Sequence, residues 1–448
     1  MPNPLAIDCH AHICTEETMN LLNKAAPKVG SALKEIEKDV YEWTVAGTPY
    51  RPLPRGGFDI EQRLKDMKTS EVDMQVLSNT PQTFLYNHDA GMTTTTSQIQ
   101  NDQIAKHVKD HPRSFYGIAT LPMQAPKAAA DELERAIGKL GLKGMQIGSN
   151  INGKNLDEPE FEPVWAVANA HNAFCMVHPN NVAGADRLRN YYLNNLIGNP
   201  LDTTIAAASL VFGGVIERYP NIRFYMVHGG GFTPYQAGRW QHGWHVRPEP
   251  QKHLKYPPAE TIRTFYWDTI LHGQPALKFL VEEFGASHVM LGSDYPYDMG
   301  TFECARQVKA LPVNDVDKAT ILNGMAQKLL AAKNPVITTE AAGRDAAGYN
   351  ALLELAEALA IPVIETPSTM FSNFYKGHPL HQGPSFAPFF ETTDLALVIR
   401  SRAPWSVARR ASMVHSAPMP PSTLQTPSIS TCASSISVDG ACQGEEPQ

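Results

Sequence analysis

The segment Asp8-Cys9-His10-Ala11-His12 sets two imidazoles two residues apart in an apolar run. If that run is a strand, alternation sends both rings to one face, where they can grip one ion, and turns Ala11 away. By the same alternation Asp8 shares that face, where it reads as a strand-end support rather than a ligand. An H-x-H pair alone is a weak signal. Three further residues with ligand or acid–base chemistry close other apolar runs: His178 in Met-Val-His-Pro, His228 in Met-Val-His-Gly-Gly-Gly, and Asp294 in Leu-Gly-Ser-Asp-Tyr-Pro-Tyr. Each by itself reads equally well as a hydrogen-bonded histidine or a helix-capping aspartate, but together with His10 and His12 they point to one shared site. Three neutral imidazoles and one carboxylate leave a divalent ion net positive with open positions, able to draw bound water toward a pKa of ~7. A histidine beside it can accept or return a proton at neutral pH.

Positioning these residues requires several strands. Short β-rich runs bounded by turn residues occur at Leu5–His12, Met74–Asn79, Phe115–Pro122, Lys143–Ser149, Ala173–Pro179, Arg223–Gly230, Thr264–Ile270 and Val289–Pro296. Most are continuously apolar, as expected for strands buried on both faces of a parallel sheet. Helical patterns fill the gaps, among them Glu61–Thr69, Ala125–Leu140, Glu162–Ala170 and Pro275–Phe284. The repeat predicts an α/β fold, a (β/α)8 TIM barrel with insertions over residues 1–330, although an open doubly wound sheet would read similarly. Thr15–Phe58 and Asn180–Pro220 are insertions leaving the C-terminal ends of strands, where barrel enzymes build their pockets, and are expected to form lids or walls. After Leu330 a second pattern begins: strands at Asn334–Glu340, Ile361–Thr366 and Asp394–Ser401 and a helix at Asp345–Ala360. That pattern predicts a partial Rossmann-like fragment over 331–405, with a disordered Ser/Pro-rich tail over 406–448.

Composition narrows the function classes. A chain of 448 residues, 43% hydrophobic and 19% charged, can bury a full core. Its formal charge of −7, with basic residues scattered, opposes nucleic-acid binding. The six cysteines are widely spaced without a C-x-x-C pair, which suits reduced thiols in a cytoplasm. No stretch approaches the ~20 apolar residues that span a bilayer, so neither secretion nor membrane insertion is expected.

The ordered motifs around His10, His12, His178, His228 and Asp294 resemble the amidohydrolase superfamily, in particular its nonhydrolytic branch similar to 2-amino-3-carboxymuconate-6-semialdehyde decarboxylase, over about residues 1–330. That resemblance implies that His10, His12, His178 and Asp294 bind one Zn²⁺, with Mn²⁺ or Co²⁺ as alternatives, and that His228 and Asp294 act in catalysis, His228 as acid/base. Binuclear members use a carbamylated lysine on strand four; here Lys143 stands at that strand's beginning, which implies one metal. Tyr50-Arg51-Pro52 resembles the segment presenting an arginine to a substrate carboxylate, and Arg239 resembles a second arginine supplied by a neighbouring subunit, implying a homodimer. Both types suit bidentate carboxylate recognition, and either arginine alone is equally a surface residue. Arg247 is a weaker candidate, Tyr191 and Tyr192 are candidate pocket walls, and Arg55 and Tyr191 depart from the family's pattern. His242 and His245 read as solvated histidines, while Asp268 in Tyr-Trp-Asp-Thr is a candidate partner for a ligand histidine or the substrate.

Asn334-Pro-Val-Ile, Glu340-Ala-Ala-Gly-Arg, Ile361-Pro-Val-Ile-Glu and His378-Pro-Leu-His resemble the central domain of thiamine-diphosphate enzymes. The Gly-Asp-Gly diphosphate motif is absent, so thiamine diphosphate is not expected, and the segment is read as a gene fusion or mis-predicted gene. For the whole chain the expectation is a metal-dependent decarboxylase of a small unsaturated or aromatic carboxylic acid. The rivals are a hydrolase or hydratase on the same scaffold and a catalytically inactive binding or assembly barrel.

Overall fold

The computed structural model describes residues 6–326, 335–339, 346–359, 363–365, 374, 376, 380–382 and 395–399. The chain divides into two compact units, Met1–Leu330 and Ala331–Gln448. The strands in order are β1 (Ile7–Ile13), β2 (Ala32–Glu37), β3 (Val40–Val45), β4 (Thr48–Pro54), β5 (Met74–Asn79), β6 (Phe115–Gly117), β7 (Ala119–Thr120), β8 (Gly144–Gly148), β9 (Phe174–His178), β10 (Arg223–Met226), β11 (Tyr266–Asp268), β12 (Val289–Met290), β13 (Pro335–Thr339), β14 (Val363–Glu365) and β15 (Leu395–Ile399).

In the first unit β1, β5 and β6 pair in that order, and β7 to β12 pair in sequence, all parallel. Only Ile118 separates β6 from β7, and it donates to Leu77 O at 3.0 Å, so the two sheets are continuous. Beyond β12 the chain runs beside β1: Cys9 N donates to Leu291 O (2.8 Å), Asp294 N to His10 O (2.8 Å) and His12 N to Tyr295 O (2.7 Å). These bonds close the (β/α)8 barrel and rule out the open sheet.

Apolar side chains fill the barrel interior: Ile7, Cys9, Val76, Ile118, Phe174, Met176, Tyr225 and Met290 form one buried cluster. A larger cluster, including Leu133, Ala136 and Ile137 of the helix Pro126–Gly138, lies between the barrel and its helices. The expected run Arg223–Gly230 is shorter as a strand, because His228 (φ 55°) and the glycines after it (φ 60–74°) leave extended geometry.

The first insertion folds as a helix, Glu16–Ala25, and an antiparallel meander β2-β3-β4. Thr15 starts the helix by accepting from Thr18 N, with Glu16 and Glu17 in the positive first turn. Met19, Ala26, Val29, Trp43, Val45 and Leu53 belong to a small buried core, and Trp43 Nε1 donates to Ser31 Oγ at 2.8 Å. The second insertion carries the helix Asn199–Phe212. Buried Asp202 of that helix accepts from Ser149 Oγ, from Asn150 Nδ2 (2.9 Å) and from Ala183 N (3.0 Å), tying the insertion to the ends of β8 and β9.

In the second unit β13 lies between β14 and β15, all parallel, with a helix at Ala346–Leu359. Ile337, Leu352, Ala356, Val363 and Phe374 form its buried cluster. The expected tail, 406–448, lies outside the described residues.

Candidate metal centre

A register shift in β1 builds the centre. Asp8 pairs with Gln75 and Ala11 with Leu77, so β1 carries one residue more than β5 between these points. Below this bulge Ile7 and Cys9 face the barrel interior; above it His10 and His12 do. Asp8 therefore faces away from the histidines, correcting the alternation argument. It accepts from Gln75 Nε2 (2.9 Å), Ser293 Oγ (2.5 Å), Ser293 N (3.0 Å) and His10 N (3.1 Å), which makes it a strand-end support. Beneath it, fully buried Arg63 donates to Gln75 Oε1 (2.9 Å) and to the His12 carbonyl, and lies 4.7 Å from the Tyr295 ring centroid.

His10 and His12 from β1, His178 from the end of β9 and Asp294 beyond β12 offer ligand atoms all within 4.8 Å of one another, and all four side chains are buried. Gly292 permits the close approach, since a Cβ there would sit 3.0 Å from His10 Cβ and 3.1 Å from Asp268 Cβ. Each histidine is oriented through Nδ1: His10 to Asp268 Oδ2 (2.7 Å), His12 to Asn79 O (3.1 Å) and Ser78 Oγ (3.0 Å), and His178 to Pro179 O (3.0 Å). That leaves Nε2 of all three, with Asp294 Oδ1, buried without a hydrogen-bond partner. Four orphaned donor atoms, three nitrogen and one oxygen, fit a divalent ion such as Zn²⁺ or Mn²⁺. The carboxylate behind His10 is the usual companion of a metal-binding imidazole. Among the described residues this is the one such group.

The electrostatics agree. Burial opposes ionisation of Asp294, yet His10, His12 and His228 hold its pKa well below the ordinary carboxylate value. Burial pulls His12 down to about 4, and burial with the neighbouring histidines pulls His178 well below 6.5, so both lone pairs are free at neutral pH. For His10 burial is outweighed by Asp294 and Asp268, which raise its pKa, so a proton and a cation compete for this imidazole.

His228 follows β10 with its ring centroid 5.4 Å from that of His10 and 5.5 Å from that of His178. Its Nε2 lies 3.4 Å from Asp294 Oδ2. Asp268 fixes the turn that carries it, accepting from His228 N (2.9 Å), Gly229 N (2.6 Å) and Ile270 N (3.1 Å). His178, His228 and Asp294 open on a cavity of about 670 Å³ at the C-terminal ends of the strands, walled by both insertions. Tyr192 lines it, whereas Tyr191 is 87% exposed and does not.

The structure does not bring either expected arginine into this cavity. Arg51 is 66% exposed and pairs with Glu42 at 3.3 Å. Tyr41 pairs with Leu53 and Trp43 with Tyr50, so β4 carries the extra residue of a bulge that includes Arg51, while its neighbour Tyr50 faces the cavity. Arg239 lies exposed on the helix Thr233–Val246, as do His242 and His245. Arg55 pairs with Asp59 and Arg247 with Glu249 on the surface. Lys143 precedes β8, with its Nζ 5.9 Å from the Tyr116 ring, at the opposite end of that strand from the site.

Sequence reasoning missed Arg63, Gln75, Ser293, Tyr297 and the asparagines of the cavity wall. Arg63 had a signal: it shares the helical face of Ile60 and Met67, where a charge must find a buried partner. Tyr297 packs on His12 with centroids 5.0 Å apart and donates to Gln82 Oε1 at 3.0 Å. No periodicity marks it, because it sits in a loop.

A closed parallel barrel with four convergent ligands at the strand ends defines a metal-dependent barrel enzyme class. The chain belongs to the amidohydrolase family, whose model matches residues 7–331. It is 35% identical over 328 residues to 2-amino-3-carboxymuconate-6-semialdehyde decarboxylase of Dictyostelium discoideum, covering 73% of this chain and 91% of that one. The crystal structure of 5-carboxyvanillate decarboxylase from Sphingomonas paucimobilis superposes with a TM-score of 0.64 at 25% identity, over 73% of this chain and 99% of the other. A dihydroxybenzoic acid decarboxylase from Polaromonas, solved with manganese and 2-nitroresorcinol, matches with a TM-score of 0.62 at 24% identity, over 73% and 97%. No helix among the described residues is long and apolar enough to cross a membrane.

Proposed function

We propose that the protein is a metal-dependent carboxy-lyase that removes CO₂ from a small unsaturated or aromatic carboxylic acid. The single observation carrying this reading is the convergence of four unpartnered donor atoms beside His228 at the floor of a closed-ended cavity. The decarboxylases it resembles support the reaction class. His10, His12, His178 and Asp294 would hold one ion, Zn²⁺ in our reading, with Mn²⁺ the ion found in the Polaromonas relative. When bound, the ion supplies Lewis acidity that polarises oxygens of the substrate.

The chain's own residues do the rest. Asp268 keeps the His10 proton on Nδ1, and the Asn79 carbonyl and Ser78 do so for His12, so both rings present Nε2. His228 moves the proton: its Nε2 delivers one to the carbon bearing the carboxylate, the carbon–carbon bond then breaks, CO₂ leaves, and the electron pair of that bond stays with the protonated skeleton. Tyr297 packs on His12, and Tyr50 of the first insertion lines the cavity above the site.

Arg51 and Arg239 belong to this proposal as carboxylate contacts. Arg51 would have to exchange Glu42 for the substrate, and exposed Arg239 would come from the second copy of a homodimer, a reading that exposed Phe232 and Tyr235 beside it support. The test is CO₂ release by metal-loaded protein against a panel of muconate-like and phenolic acids, with chelator-treated protein as control. Hydration or hydrolysis of a panel member without CO₂ would replace the lyase reading by a hydratase or hydrolase.

A further inference from the structure

Beyond the metal centre, the charge on the cavity wall is lopsided. Among the described residues no lysine or arginine lines the cavity, whereas Asp298 does, in the loop after the ligand Asp294. Among the described residues no ion pair or hydrogen bond engages the Asp298 carboxylate. It stands close enough to Tyr50 and Tyr192 to raise both phenols, second to burial and Asp294 for Tyr50 and second to burial alone for Tyr192. Those hydroxyls therefore stay neutral beside it and bring no compensating positive charge.

Another part of the lining consists of amides. Asn180, Asn181, Asn194, Asn195 and Asn199 come from the second insertion, and no protein hydrogen bond engages their side-chain amides among the described residues. From the lining residues of this one chain a ligand meets positive charge only at the metal centre, with amides on the wall and the solvent-exposed carboxylate of Asp298; Arg51 and Arg239 would reach it only by the rearrangement and dimer proposed above.

We propose that Asp298 is a specificity residue, which receives a hydrogen-bond-donating substituent, an aryl hydroxyl or amine, on the part of the substrate remote from the carboxylate seated at the histidine cluster, and which repels a second carboxylate there. This rests on the reading of the substrate as a carboxylic acid. A hydrogen bond to a charged acceptor discriminates by about tenfold or more, and a like charge at the same place works in the opposite sense.

Isothermal titration of metal-loaded protein tests this without turnover, using benzoate, 3- and 4-hydroxybenzoate, isophthalate and terephthalate. Metal content is measured separately by elemental analysis. The wild type is expected to bind a hydroxybenzoate about tenfold tighter than benzoate, and both dicarboxylates more weakly than benzoate. Asp298→Asn, which keeps the shape and removes the charge, should bring the dicarboxylates level with benzoate; Asp298→Lys should place them ahead of it. Affinity ratios unchanged in both variants would overturn the role of Asp298. If benzoate binds in a metal-dependent way and only the ratios fail to move, the carboxylic-acid reading stands and this inference falls. If no acid binds the metal-loaded protein, both fall together.

Discussion

Replacing Asp268 by Asn keeps the shape of the side chain and changes what its two terminal atoms can do. In the native protein Oδ2 accepts from His10 Nδ1 at 2.7 Å and His228 N at 2.9 Å, while Oδ1 accepts from Gly229 N at 2.6 Å and Ile270 N at 3.1 Å. An amide has one acceptor atom, so either rotamer turns an NH₂ group toward two buried donors. Two donors left unpaired cost about 1–3 kcal/mol each, so roughly 2–6 kcal/mol of stability is at risk. The lower end is expected, because His10 can relieve one clash by moving its proton to Nε2. That relief puts a proton where the ion belongs, so metal affinity should fall by about 10–100-fold, the usual effect of losing a carboxylate behind a ligand histidine. Zn²⁺ affinity by chelator competition and the urea midpoint of the unloaded protein read the two effects separately. Wild-type metal affinity in a destabilised Asp268→Asn protein would refute the claim that Asp268 sets the His10 tautomer.

The same geometry carries other expected outcomes. His228→Ala should lower CO₂ release by about 10²–10⁴-fold while the bound metal stays stoichiometric; undiminished turnover would remove His228 from the proton-transfer step. His107, in the helix Ala90–Asp110, is lowered from 6.5 to about 4 by burial, with Lys106 acting in the same direction and Glu17 and Asp110 against it. Between those values the unfolded chain takes up a proton that the folded chain refuses, so stability is full above pH 6.5 and declines as pH falls toward 4. The urea midpoint of the metal-loaded His107→Gln protein should therefore depend less on pH over that window, and parallel wild-type and variant curves would contradict it. Ending the chain after Leu330 should leave CO₂ release within about twofold, as expected of a domain with its own core; a truncated chain that fails to fold would show that the barrel depends on residues 331–448.

Much of the barrel was legible in the sequence because its strands are short, apolar and separated by helical periods. Met74–Asn79 and Glu162–Ala170 coincide with observed elements to the residue. Strand ends were less legible where function bends the backbone, as at His228, whose positive φ no hydrophobic pattern announces. The first insertion hid its meander because β2 has an almost wholly exposed pattern and little alternation.

The identities of His10, His12, His178, His228 and Asp294, each closing an apolar run, were determined by the sequence alone, since chemistry at strand ends needs only residue type and position along the chain. Their meeting point was decided by tertiary structure. The bulge in β1 turns His10 and His12 inward and Asp8 outward, the missing Cβ of Gly292 lets the strands approach, and Asp268 from a different strand sets which nitrogen of His10 is free. Arg51 shows the same limit from the other side: its residue type suited a carboxylate, but the bulge in β4 sends it to Glu42 and the surface. Side-chain direction depends on register between strands distant in sequence, and no local pattern encodes a register.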